Sequence, residues 1–196
     1  MAERTAFAEE LAGLPAGHQG LAIAERTGLG IATVMARAGA AEAVAARVSE
    51  IYGMDLVDGP MLSGSGGTMF AGSGPGAWLA MRENADPFWA SILAGELAEI
   101  ASVFDQSSGY AVLRLSGAHA RPVLQAGAFL DLHGDAFPAG SVAVTVIAHV
   151  GAILMRAGEE TYDIAVFRSF ASSIWHWLTV TAAARGIGLS VATDEG

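Results

Sequence analysis

Apolar and polar residues change places along this chain in short blocks, and the period of each block predicts an element. Residues 3–12 carry a short helical pattern. Residues 21–26 and 31–37 read as two strands, and Thr27-Gly-Leu-Gly30 between them reads as a hairpin turn. Over residues 40–52, Val44, Val48 and Ile51 recur at helical spacing, and Gly53 follows them. Glycine closes helices readily because it takes up left-handed backbone without a Cβ clash. Residues 68–71 and 77–82 are short strands joined by Gly72-Ser-Gly-Pro-Gly76. Asp86-Pro87 has the composition of a helix N-cap and first position, and Trp89, Leu93, Leu97 and Ile100 then make one stripe.

A second set of elements begins near residue 101. Residues 103–105 and 110–115 read as strands, and a short helix runs to Gln125 with Pro122 in its first turns, where proline's missing N–H costs nothing. Residues 142–150 are apolar on both faces, as in a central strand, and residues 153–156 form a further strand. Tyr162, Ile164 and Val166 alternate with Asp163, Ala165 and Phe167. Residues 170–185 form a helix with Phe170, Ile174, Trp177 and Leu178 inward, and residues 189–192 a last short strand. Ser169 stands where it would N-cap the final helix, and Arg168 precedes it. A cation there opposes the helix dipole. Arg168 is therefore expected either to lie solvated along apolar surface or to pair with a carboxylate, on Asp131 or on a partner chain. The order of elements predicts an α+β fold. Strand pairs and helices recur in two similar halves, 1–100 and 101–196, of a single domain over 1–196, its sheet covered by helices.

Composition narrows the function. Apolar residues make up 53% of the 196 and charged residues only 15%, against roughly 25% in soluble domains. The mean hydropathy is +0.44. Glycine and proline interrupt the uncharged stretches 59–81 and 136–155, and the stretch 169–184 is shorter than the roughly 17 residues a span requires. The sequence therefore predicts no membrane span, and the surplus apolar surface points to a protein partner. The net charge of −10 argues against nucleic acid, which wants clustered cations. All ten cations are Arg. Without Lys the chain offers neither a phosphate-loop lysine nor a Schiff-base amine. Without Cys it offers no disulfide, thiol nucleophile or thiolate metal site. Residues 1–10 lack a secretory apolar core, so a cytoplasmic protein is expected.

The motifs that remain are weak. Gly72-Ser-Gly-Pro-Gly-Ala77 approximates a dinucleotide fingerprint but lacks the long helix that motif needs. A tight turn is the better reading, with Gly74 expected at positive φ. Asp131-Leu-His133-Gly-Asp135 places three metal-capable groups at alternate positions, but Gly134 and Pro138 mark a loop, in which Asp binds local backbone. His18, His119, His133, His149 and His176 are dispersed, and His149 reads as a core or rim group of a buried strand. No G-x-S-x-G elbow is present. The sequence thus gives no catalytic, cofactor-binding or metal residues. It leaves Asp131, His133, Arg168, Ser169, Trp175 and His176 as interface or structural candidates.

Several segments together are similar to a known family. Ala111-Val-Leu-Arg-Leu-Ser-Gly117 leads into Ala118-His-Ala-Arg-Pro-Val-Leu124. There follow Leu130-Asp-Leu-His133, Phe137-Pro-Ala-Gly140, Thr145, Tyr162-Asp-Ile-Ala-Val-Phe-Arg-Ser-Phe-Ala171 and Ile174-Trp-His-Trp-Leu178. In order and spacing these resemble the gamma subunit of heterotetrameric sarcosine oxidase, and Gly74-Pro-Gly-Ala-Trp-Leu79 agrees more weakly. The resemblance implies a fold like the folate-binding part of the glycine-cleavage T-protein. It implies a non-catalytic structural chain with alpha, beta and delta partners, in an assembly that oxidises sarcosine to glycine, makes hydrogen peroxide and passes the one-carbon unit to tetrahydrofolate. FAD, covalent FMN, NAD, tetrahydrofolate and zinc are expected in those partners and not in this chain. The alternatives are a gamma-like subunit of a related N-methyl amine demethylase and a stand-alone folate-binding module. Self-association is expected when the chain is isolated.

Overall fold

The computed structural model describes residues 5–17 and 20–192. Residues 3 and 4 of the expected first helix, and His18, lie outside them. The chain divides into two compact units that interleave along the sequence rather than meeting near residue 100. One comprises residues 1–27, 111–139 and 144–196, the other residues 28–110 and 140–143.

The first unit holds a six-stranded sheet. Its strands are β1 (Leu21–Glu25), β7 (Tyr110–Ser116), β8 (Val142–Ile147), β9 (Val150–Arg156), β10 (Thr161–Phe167) and β11 (Leu189–Val191). Their order is β11-β1-β7-β10-β9-β8. β11 runs parallel to β1, and β1 antiparallel to β7. Helices α1 (Ala8–Leu11), α4 (Ala120–Gln125) and α5 (Ala171–Ala184) belong to this unit. Along α5 the inward residues are Ala171, Ile174, Leu178 and Ala182. Ile174 and Leu178 are as expected. Phe170 is exposed and Trp177 only half-buried, so the buried stripe begins at the small Ala171.

The second unit holds β2 (Gly30–Ala36), α2 (Ala41–Tyr52), β3 (Leu62–Ser65), β4 (Thr68–Gly74), β5 (Ala77–Arg82), α3 (Trp89–Glu96) and β6 (Ala101–Asp105). The sheet order is β3-β4-β5-β2-β6. Side chains from one face, Ala32, Val34, Phe70, Trp78 and Ala80, pack with Val44 and Val48 of α2 and with Trp89 and Leu93 of α3. Each fully buried Val, Leu or Phe is worth about 1.5–3 kcal/mol of burial. Trp78 adds a polar anchor, its indole Nε1–H donating to the Val57 carbonyl at 2.9 Å. α2 ends as expected, with Gly53 at φ 64° and its N–H returning to the Ser49 carbonyl.

Four sequence expectations give way. β1 and β2 do not form a hairpin: β1 pairs with β7 and β11, and β2 with β5 and β6. Thr27-Gly-Leu-Gly30 is therefore the passage from one sheet to the other. The expected central strand 142–150 is two strands, broken by a two-residue turn at Ala148 and His149 with φ 48° and 68°. Neither residue announces such a turn, which ordinarily calls for Asn-Gly. His149 is accordingly an exposed turn residue, not a core group. α3 starts at Trp89 rather than at Pro87, because Asp86 accepts the N–H of Phe88 in a preceding turn at 2.8 Å. Gly74 is not among the positive-φ glycines; in the β4–β5 turn, Gly76 is, at φ 62°. Pro75-Gly76 is the central pair of that hairpin turn, with Gly74 opposite Ala77, so the motif is a strand connection.

The turn at Ala148 and His149 gives a prediction. Left-handed backbone costs a non-glycine residue roughly 1–2 kcal/mol. The double variant Ala148→Asn/His149→Gly should therefore raise the unfolding free energy by about 1–2 kcal/mol in urea denaturation. An unchanged or lowered midpoint would show that these positions carry no strain.

Candidate functional site

The stretch after α4 is held by Gln125, whose amide donates to the Leu130 carbonyl and accepts the Leu132 N–H, both at 2.8 Å. Leu132 is thereby buried, and Asp131, His133 and Asp135 face solvent. Asp131 Oδ1 accepts the His133 N–H at 2.9 Å, and His133 Nδ1 lies 3.6 Å from Asp135 Oδ2. This is the local backbone bonding expected of Asp in a loop. Among the described residues no three His, Cys, Asp or Glu side chains are grouped to hold a metal ion.

The other candidates cluster at the β10–α5 corner. Arg168 to Phe170 form a 3-10 turn, and the N-cap position of α5 falls on Phe170 with no side-chain cap bond. Ser169 is therefore not the cap. The 3-10 turn carries the chain into α5 by backbone bonding, the Ala171 N–H donating to the Arg168 carbonyl. Trp175 is half-buried and its ring lies 6.3 Å from that of Phe7. The Glu25 carboxylate fixes Phe7 by accepting the Ala6 and Phe7 N–H groups at 2.7 and 2.9 Å. Trp175 thus packs within its own unit. His176 is exposed, and Trp177 lies over Gly127, where a Cβ would come within 2.5 Å of the indole.

Two buried arginine sites were not among the sequence candidates. Asp163 has a side chain only 2% exposed. Its Oδ2 receives Arg26 Nη1 at 2.9 Å, and its two oxygens receive Arg114 Nε and Nη2 at 2.7 and 2.8 Å. An Asp inside an otherwise apolar strand is the signal that calls for such partners. Arg156, also buried, donates to the carbonyls of Phe137, Gly158 and Glu159, and its guanidinium stands 5.7 Å from the centre of the Tyr162 ring. Burial pushes the Tyr162 hydroxyl above the ordinary tyrosine range, with Arg156 opposing the shift. Among the described residues that hydroxyl has no protein hydrogen-bond partner. Ser107 Oγ accepts the Ile31 N–H at 3.0 Å and donates to Asp105 Oδ1 at 2.7 Å, which pins a turn. Asp163 is thus matched to guanidiniums, and Asp105 and Asp131 accept backbone N–H groups. Several large apolar side chains face outward, with Phe129, Val144, Val146, Phe167 and Phe170 exposed in the first unit and Met35, Phe88, Ile92 and Phe104 in the second. Among the described residues no helix is long and apolar enough to cross a membrane.

The chain is 33% identical over 112 residues to the sarcosine oxidase subunit gamma of Corynebacterium sp. (strain P-1), a match that spans 57% of this chain and 55% of that relative. It is 30% identical over 156 residues to the subunit gamma of an Arthrobacter species, spanning 80% and 75% of the two chains. A chain of the heterotetrameric sarcosine oxidase from Corynebacterium sp. U-96, solved in complex with pyrrole 2-carboxylate, superposes with a TM-score of 0.81 at 26% identity. The superposition covers 94% of this chain and 96% of that one. The glycine cleavage system aminomethyltransferase T from Bartonella henselae shares the fold, with a TM-score of 0.60 at 11% identity, over 93% of this chain and 50% of that one. The profile described as sarcosine oxidase, gamma subunit family matches residues 37–184. On that match, which takes in most of both units, the chain belongs to the sarcosine oxidase gamma subunit family.

Proposed function

We propose that this chain is the gamma subunit of a heterotetrameric sarcosine oxidase, and that within it the chain is a structural partner supplying no reacting group. The observation that carries the reading is the likeness to one chain of such a heterotetramer along nearly the full length of both. The polar inventory supports the structural role. Asp163 and Arg156 are engaged in holding strands and turns, and several large apolar side chains, Phe88, Phe104 and Phe129 among them, lie exposed. Alpha, beta and delta subunits hold FAD, FMN, NAD, tetrahydrofolate and zinc, and the assembly demethylates sarcosine to glycine.

The test has two parts. An affinity-tagged chain expressed in its native host should bring down sarcosine oxidase subunits in a complex several times its own 20.0 kDa mass, and that complex should oxidise sarcosine. The chain expressed alone should show no flavin band after desalting. A stoichiometric flavin on the isolated chain would refute the structural role. A complex that turns over another N-methylated amine and not sarcosine would move the chain to a related demethylase.

A further inference from the structure

The chain has no Cys, so its seven methionines hold all of its sulfur. They differ sharply in access. Met54, Met81 and Met155 are buried, the most open of the three at 5% exposure, whereas Met35 is 51% exposed and Met61 36%. Met69 is half-buried, and Met1 lies outside the described residues.

Strand register explains why Met35 is open. Along β2, Ala32 and Val34 pack with α2 and α3 in the core. Successive side chains of a strand point to opposite faces, so Met35 projects from the face away from that core. It lies opposite Ala77 of β5 and Ser102 of β6, and Ala77 lies opposite Gly74 of β4. Residues opposed on neighbouring strands project from one face. Every neighbour of Met35 in its row across the sheet is therefore small, and no bulky side chain in that row shields the thioether. Met61 is more confined. Its methyl group lies against Gly140, 3.5 Å from where a Cβ there would stand. Its N–H and carbonyl are both bonded, to Gly59 and Gly72. Met54 is packed in the same cluster as Val44, Val48 and Phe70.

An oxidase passes electrons from its substrate to dioxygen, and two-electron reduction of dioxygen gives hydrogen peroxide. Peroxide converts an accessible thioether to its sulfoxide, which reductases reverse. We propose that Met35 is a modification site, oxidised to the sulfoxide by hydrogen peroxide released as the oxidase turns over. The inference rests on the subunit role proposed above and adds a chemical consequence of it for this chain. A lone pair on the sulfur attacks one peroxide oxygen. The S–O bond forms as the O–O bond breaks, and the departing hydroxide takes the proton of the transferred oxygen to become water. The sulfur loses two electrons, the peroxide gains them, and no other reactant is needed. The new polar oxygen at Met35 stands in solvent, so the fold keeps its packing. The same oxygen at Met54 would lie among apolar side chains and disrupt them.

The test begins with the full chain in reagent hydrogen peroxide, sulfoxide at each methionine being followed by peptide mass spectrometry. Met35 should be oxidised at least about tenfold faster than Met54, Met81 and Met155, whose sulfurs are reached only when the structure opens locally. Met61 should fall between them. Chain oxidised at Met35 alone should unfold within about 2 °C of untreated chain. Met35→Leu should abolish the fast phase of oxygen uptake and leave the slower sites unchanged. In the complex purified from the native host, Met35 sulfoxide should build up during sarcosine turnover, and added catalase should prevent it. Equal rates at Met35 and the buried methionines would overturn the inference. So would a Met35 that stays unoxidised in a complex turning over sarcosine, or one that oxidises there despite catalase. A chain that reacts first at Met35 with reagent peroxide but co-purifies with no oxidase would instead refute the subunit role, and with it this source of peroxide.

Discussion

Replacing Asp163 by Asn should lower the unfolding free energy by about 3 kcal/mol, since removing one partner of a buried ion pair leaves the other charge uncompensated. For a chain of this size that corresponds to a fall in the thermal midpoint on the order of 10 °C. The side chain of Asp163 is 2% exposed and that of Arg26 8%, so little solvent screens the change. The shape is preserved and only the charge is lost. Arg26→Met should cost clearly less, because it leaves the two-bond pairing of Arg114 with Asp163 in place and neutral. Arg114→Met should fall between the two: it removes the two-bond partner, but that guanidinium is one-third exposed. Urea denaturation of the three variants checks the ranking. If Asp163→Asn unfolds within 0.5 kcal/mol of wild type, an ordinary surface effect, the cluster is not holding β10 in place.

Gly72→Ala should be as damaging for a different reason. A Cβ on Gly72 would lie 1.7 Å from the Gly59 carbonyl oxygen and 2.8 Å from its carbon. Both are backbone atoms, so no side chain can turn aside. The Gly72 N–H also donates to the Met61 carbonyl, and the Met61 N–H to that of Gly59, so moving one segment breaks the bonds of the other. Overpacking of this kind costs about 1–3 kcal/mol and more where backbone must shift, and the upper end is expected here. Gly74→Ala, two residues on, meets only Ala77 Cβ at 3.9 Å, an ordinary contact, and should be near neutral. A thermal scan in which Gly74→Ala is the more harmful variant would mean that the packing at this bulge has been misread.

The elements that the sequence announced are those whose local pattern and tertiary role coincide. α2 has a helical stripe and a glycine to end it, β4 and β5 are joined by Pro-Gly, and β10 is a strand over the residues whose alternation announces it, buried from Tyr162 to Val166. The misreadings arise where tertiary pairing overrides a local signal. Thr27-Gly-Leu-Gly30 has hairpin composition, yet the strands on either side find longer-range partners. Ala148 and His149 turn the chain with neither Gly nor Asn. Ser169 is an apt cap residue, but a 3-10 turn moves the cap to Phe170. Of the site, His133, Asp131, Trp175 and His176 were visible as residue types, but their roles were not. Trp175 packs against Phe7 at a separation no periodicity reports. Arg26 and Asp163 stand 137 residues apart.

The parallel pairing of β1 with β11 sets an order on biosynthesis. Leu21–Glu25 leaves the ribosome ahead of its neighbours in the sheet, residues 113–116 on one side and 189–191 on the other. All strand pairs of β2 through β6 lie within residues 30–105. The nascent chain therefore carries an unpaired strand past a sheet that can complete itself first. The sheet begun by β1 closes only when residue 191 has been made. Its contacts are long-range in sequence, the class that forms slowest, and until then the apolar Leu21-Ala-Ile23 edge is open to any other strand that reaches it.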